Sequence, residues 1–354
     1  MNRRGAAPLL MVLAVTAILF MIVVTGTRTL EIEESIAERD RLDLLADNAF
    51  KNVCQQAFWL LEADERANKD EDEKQMVDSL LDEWALAPEH PYLEGDLVVR
   101  WRIVDASSRL NPNLLLKDNQ VSEEDRARFL AMLMDLRIPE CDALVESLCD
   151  WIDSAGPQVE GRPSPVDRGG FEEDARNAPF LSLEELAMVK GYTKDVLWGN
   201  KEDKTSGLIP NLTLFASGKI NLNTAPGCVI MGAHKDIETS MASSLVDGRR
   251  NKPYRNMEEA QRAAGNPDKV KLGDLFSLSS NQFILEMEAD LAGIRTRREV
   301  WIERSGGRCS VVKVEYRGFF DWDEETMKTM DEAVDKLIQE EKERREALAA
   351  GFGS

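Results

Sequence analysis

Histidine is scarce in this chain: two in 354 residues, His90 and His234, far apart in sequence. The five cysteines include no Cys-x-x-Cys pair, which leaves little material for a zinc site or a Cys/His dyad. Cys141 and Cys149 fall in one predicted helix, about 12 Å apart along its axis, beyond disulfide reach. Nothing in the sequence supports pairing Cys228 with Cys309. There is no Gly-x-Ser-x-Gly and no phosphate loop. Carboxylate pairs abound, but 65 Asp and Glu generate them by chance, so nothing assembles an enzyme. Positive charge is also short, at 44 Lys plus Arg for a net charge of −21. So acidic a chain repels phosphate backbones and anionic surfaces. Its basic clusters, Arg249-Arg250 and Arg295 to Arg298, read as a solvated face or a strand edge.

What is present begins at the N-terminus. Met-Asn-Arg-Arg-Gly5 leads into an uncharged run from Ala6 to Thr27. As a helix that run would measure about 33 Å, enough for a hydrocarbon core of roughly 30 Å. Arg3 and Arg4 place the N-terminus on the cytoplasmic side. A secretory signal would have a shorter apolar core and a small-residue cleavage cluster after it. Here the run passes straight into a helical pattern, with no Pro or Gly from Thr27 to Ala67. Leu30, Ile32, Ile36, Leu42, Leu45, Ala49, Val53, Ala57, Leu60 and Leu61 form its apolar stripe. Ile32, Ile36, Leu42, Leu45 and Ala49 are the expected contact residues for partner helices, because one small sheet cannot cover so long a stripe.

Basic residues, Gly5 and then an apolar helix resemble a type IV pilin-like precursor. The resemblance implies a prepilin peptidase cutting between Gly5 and Ala6. Such precursors carry Glu at the fifth mature position, where this sequence has Leu10. A carboxylate at the bilayer centre costs about 2.5–3.5 kcal/mol, so that Glu needs a partner in the preceding subunit. A subunit that starts a fibre has no predecessor and needs no Glu. Its lack is typical of the protein K component of type II secretion systems.

Farther on, Asp96 to Asp105 alternates as a strand, after a short predicted helix at Gln75 to Ala85. The pattern is then helical to about Gly273, and strands return at Gln282 to Asp290, Gly293 to Arg304 and Arg308 to Phe319. A turn at Ser305-Gly306-Gly307 joins the last two. The expected fold is α+β: a pilin-like N-terminal transmembrane and stalk helix on a small antiparallel sheet, with a large all-helical domain inserted in the sheet. The expected boundaries are a leader at 1–5, a membrane helix at 6–27 and a stalk at 28–67. The sheet body takes 68–105 and 274–322, the insertion 106–273 and a helical tail 323–354. In the tail Met327, Met330, Val334, Leu337 and Ile338 share one side, and a solvated, partly frayed helix is expected.

The insertion carries an internal repeat, at about 106–199 and 207–268. Arg109-Leu-Asn-Pro-Asn113 opens one block and Lys219-Ile-Asn-Leu-Asn223 the other. Each closes on an aromatic and a Glu-Glu helix start, Phe180 to Leu186 and Tyr254 to Ala260. Ser182 and Asn256 are the expected N-caps, and the paired asparagines are expected to satisfy turn backbone. Leu-Cys-Asp150-Trp151-Ile152-Asp153, Arg176-Asn177-Ala-Pro179-Phe180 to Gly191 and Gly218 to Pro226 resemble motifs of protein K, in the same order.

That resemblance implies a minor pseudopilin that starts and caps a periplasmic fibre from the inner membrane. Its implied partners are pseudopilins I and J, the prepilin peptidase and the inner-membrane assembly platform. It also implies calcium near the loop after Asp150, with Asp150, Asp153, Glu172, Glu173 and Asp174 as candidate ligands. The residues themselves leave a second reading open: solvated acids, with Trp151 and Ile152 in a core. The second repeat also resembles a helix-hairpin-helix, whose DNA-binding form needs a Gly-x-Gly turn. Gly232-Ala-His-Lys stands there instead, and nucleic-acid binding is the runner-up. A minor pilin of a related fibre is a further alternative.

Overall fold

The computed structural model describes residues 6–70, 76–117, 120–152, 178–200, 205–216, 218–265, 270–316 and 318–351. Helix α1 (Ala6–Asp70) is a single helix of 65 residues. Pro8 is tolerated in its first turn, where backbone N–H groups have no intrahelical partner. From Met11 to Val23 its large apolar side chains, Phe20 among them, are exposed. This part is long and apolar enough to cross a membrane. Higher up, Leu42, Ala46, Ala49, Phe50, Val53, Ala57 and Leu61 recur every three or four residues and are buried. The alanines let the helix approach closely, and each large apolar side chain buried there contributes about 1.5–3 kcal/mol.

The face they meet is one antiparallel sheet in the order β1 (Tyr92–Glu94), β2 (Leu97–Asp105), β3 (Gln282–Leu291), β4 (Ile294–Ser305) and β5 (Arg308–Glu315). Alternation puts Leu97, Val99, Trp101 and Ile103 of β2 toward α1, with Phe283, Leu285, Met287 and Ala289 of β3. Arg298 of β4 fastens the same face. It donates to Asp47 at 2.7 Å and lies over the rings of Phe50 and Tyr316. The α+β class expected from the sequence is what the chain adopts.

Between β2 and β3 the chain leaves the sheet and builds a separate core. Its main helices are α2 (Glu123–Asp135), α3 (Cys141–Ile152), α4 (Gly227–Gly232), α5 (Thr239–Arg249) and α6 (Met257–Ala263). The insertion is less helical than its sequence pattern. Short 3-10 turns cover Pro112–Leu115, Leu183–Met188 and Ile209–Asn211, and three two-residue strand pairs punctuate it. Prolines at Pro112, Pro179, Pro210 and Pro226 explain the breaks, since each removes a donor and restrains its neighbour.

Three further expectations need correction. No α-helix forms at Gln75 to Ala85. The described residues from Met76 form turns, with a 3-10 helix at Glu83–Glu89. There the Asp82 carboxylate accepts from the Ser79 N–H and hydroxyl, local bonds that compete with a helix. The last strand ends at Glu315 and not at Phe319. Finally, the tail helix α7 (Glu324–Gly351) is anchored at its start, with Met330 and Val334 buried. Phe320, Trp322 and Met330 form a small core, and Arg100 of β2 pairs with Asp331 at 2.9 Å.

Candidate functional site

The structure divides the expected partner stripe. Leu42 and Ala49 are 0% exposed, and Leu45 packs partly buried beside them. They are spent on the protein's own sheet. Ile32 and Ile36 remain 60% and 55% exposed below it. Ile32 and Phe50 are 18 residues apart, five helical turns, so the open and the covered segments lie on one face.

The acids proposed for calcium are only partly in view. Asp150 sits in the last turn of α3. Asp153, Glu172, Glu173 and Asp174 lie outside the described residues, as does Gly5, while Ala6 opens α1. Trp151 and Ile152 are buried, with Trp151 stacked on Phe180 at 6.4 Å.

A different acid cluster is fully formed where the stalk ends. Arg304 of β4, 3% exposed, donates to Asp78 at 2.5 Å, to Asp64 at 3.2 Å and to the Leu61 carbonyl at 3.1 Å. Glu65 lies 3.8 Å from its Nε. Carboxylate oxygens of Asp64, Asp78 and Asp82 stand within 4.8 Å of one another. Burial raises the Asp64 pKa to about 7, helped by repulsion from Asp82 and Asp78. Arg304 is the cation that the described residues place in this cluster. It ties α1 to the sheet and to the segment at Asp78. One signal was in the sequence: Val300, Ile302 and Arg304 alternate onto the core face of β4, and an arginine there needs buried acids.

Asp105, at the end of β2, joins sheet to insertion. Its carboxylate accepts from Ser280 at 2.6 Å, Thr224 at 2.5 Å, Asn221 at 3.0 Å and the Ser107 N–H at 2.8 Å. Complete burial nonetheless raises its pKa to about 6.

The two repeats fold alike. Asn111 and Asn221 each accept from the N–H two residues on, at 2.9 and 3.0 Å. Ser182 and Asn256 cap the following helical turns, Ser182 in a capping box with Glu185. Parallel bridges, Leu110 to Leu212 and Ile220 to Phe276, close each repeat.

Two features of the nucleic-acid alternative take other roles. Arg249 is buried and donates to the Leu222 and Ala225 carbonyls, neither a solvated face nor a strand edge. A side chain on Gly232 would meet the Arg128 carbonyl at 2.8 Å, so this glycine serves the crossing of α2 and α4. The second basic cluster is paired within the protein, Arg295 to Asp290 at 2.9 Å and Arg297 to Glu288 at 2.7 Å.

Residues 108–198, the first repeat, match the family described as type II secretion system (T2SS), protein K. A Pseudomonas aeruginosa type II secretion system protein K is 27% identical over 197 residues, covering 53% of this chain and 56% of that protein. Both likenesses are to protein K of type II secretion. The match thus spans little more than half of that relative's length. The fold is also that of a chain in the crystal structure of the GspK–GspI–GspJ complex from enterotoxigenic Escherichia coli. The TM-score is 0.56 at 18% identity, covering 80% of this chain and 99% of that one.

Proposed function

We propose that this protein starts and caps the short periplasmic fibre of a type II secretion system, as an assembly part and not an enzyme. The apolar part of α1 anchors it in the inner membrane, with the bulk in the periplasm. The single observation that carries this reading is the divided face of α1. Its upper half is spent on the protein's own sheet, and Ile32 and Ile36 continue the same seam with nothing to cover them. Stalk helices of pseudopilins I and J are the occupants the reading assigns there, I and J being partners in the structurally similar complex. The two-repeat insertion supplies bulk that stops further addition at the tip. Leu10 fits the first position in a fibre, since no earlier subunit is present to pair a carboxylate.

Processing by a prepilin peptidase between Gly5 and Ala6 and docking on the inner-membrane assembly platform belong to the same reading. Calcium, held by Asp150, Asp153, Glu172, Glu173 and Asp174 beyond the end of α3, would brace the first repeat.

Co-expression with I and J tests the proposal. Ile36→Asp places an unpaired carboxylate in the helix contact and should abolish co-purification while the melting temperature holds. Unchanged capture would remove the Ile36 seam from assembly. A mature N-terminus beginning well after Thr27, and not at Ala6, would sink the pilin-type reading.

A further inference from the structure

From Asn52 to Leu61 the stalk helix runs ten residues without a charge, in a chain of which 31% are charged. Burial against the sheet accounts for Val53, Ala57 and Leu61. It does not account for Asn52, Gln55, Gln56 and Trp59, which line a groove of about 840 Å³ whose far wall includes Leu86 and Tyr92. Trp59 is 61% exposed. Asn52 donates to the Tyr92 hydroxyl at 2.9 Å, and that hydroxyl donates to Glu94 at 2.9 Å, which fixes the wall. Among the described residues, the Gln55 and Gln56 carboxamides and the Trp59 indole have no partner within the protein.

We propose that this groove binds a neutral saccharide bearing N-acetyl groups. An exposed indole offers a flat apolar face for the C–H side of a sugar ring and keeps its N–H for a hydroxyl. Each free carboxamide presents two donors and an acceptor, the pattern that a vicinal hydroxyl pair or an acetamide satisfies. Leu86 and Leu60, beside the carboxamides, take the acetyl methyl. The volume lies in the range of small-ligand sites, about 300–1,000 Å³. Among the described residues the lining holds Glu83 and His90 but no Lys or Arg, which disfavours an anion. A partner helix fits less well, because its apolar flank would bury the two carboxamides without hydrogen bonds. Trp59 stands about 48 Å beyond Thr27 along the helix, away from any lipid surface.

The test uses the full chain in lipid nanodiscs, free of glycoside detergents that would compete. Titration calorimetry with chitotriose should give a Kd on the order of 0.1–1 mM, the range set by a few stacked and hydrogen-bonded rings. Trp59→Ala should weaken it by about tenfold or more, Trp59→Phe by only about threefold, and cellotriose, without acetyl groups, should bind about tenfold more weakly than chitotriose. Trp59 is exposed, so the melting temperature of either variant should hold. Co-sedimentation with purified cell-wall sacculi, competed by chitotriose, identifies the wall as the source. Chitotriose binding without co-sedimentation assigns a soluble saccharide. No heat up to about 10 mM, equal binding by Trp59→Ala, or loss of I or J capture by Trp59→Ala without any saccharide binding overturns the proposal.

Discussion

Asn113 and Asn223 make the same pair of hydrogen bonds in the two repeats. Each carboxamide accepts the N–H of one aromatic residue and donates to its carbonyl: Phe180 at 2.7 and 3.0 Å, Tyr254 at 2.9 and 3.0 Å. The aromatic is thereby docked beside the turn that begins the repeat, and each repeat closes on itself. Asn223→Ala strands a buried N–H and carbonyl and should cost about 2–4 kcal/mol, read by urea unfolding. Asn113 is only half-buried, so Asn113→Ala should cost less. Equal and negligible losses would mean that the clamp is decorative.

The acid cluster makes stability depend on pH. The folded-state pKa of Asp64 is raised to about 7 by burial, with repulsion from Asp82 and Asp78 added. A raised carboxyl pKa means that the folded state binds the proton more tightly than the unfolded chain. The associated stability is complete below the ordinary carboxylate pKa of about 4 and fades as pH rises through 7. The melting temperature should therefore fall between pH 5.5 and pH 8. Asp64→Asn should flatten that slope and raise stability at pH 8. A slope unchanged in the variant would move the effect to other groups, Glu299 first, whose pKa burial also raises to about 7.

Neighbouring arginines should behave differently. Arg249→Glu removes two bonds to the Leu222 and Ala225 carbonyls and buries a carboxylate among them. A loss of about 3 kcal/mol or more is expected, visible as aggregation or early melting. Arg250→Glu, on the exposed side, should change stability by less than about 0.5 kcal/mol. Neither the natural protein nor the Arg250 variant should retard duplex DNA at near-physiological salt. A salt-sensitive gel shift would revive the nucleic-acid reading.

Calcium has its own check. Asp150→Asn with Asp153→Asn should lower the melting temperature only when calcium is present, because the ion stabilises by RT ln(1 + [L]/Kd), about 2.7 kcal/mol at a hundredfold excess over Kd. Equal melting of the natural protein with calcium and with chelator would dismiss the site.

Local pattern was enough for several features. The unbroken α1, the alternating β2, the caps at Ser182 and Asn256 and the twin Asn-x-Asn turns depend on neighbours within a few residues. Periodicity and spacing report such neighbours directly. The short helix expected at Gln75 to Ala85 failed because Asp82 and Ser79 bond to each other in place of a helical backbone. The tail is solvated beyond Val334 as expected, but its first turns are held by Phe320 and Trp322 and by Arg100 of β2, the last of which lies far off in the sequence.

By itself, then, the amino-acid order determined the apolar run from Ala6, the stalk pattern and the repeated insertion within a small sheet, all set by hydrophobic period and turn chemistry. Only the tertiary structure decided which half of the stalk stripe stays open. Leu42 and Ile32 carry the same signal in sequence, but the sheet covers one and ends before the other. The tertiary structure also brought Asp64, Asp78 and Arg304 together from three distant segments, because a buried guanidinium is tolerable only where folding gathers carboxylates around it.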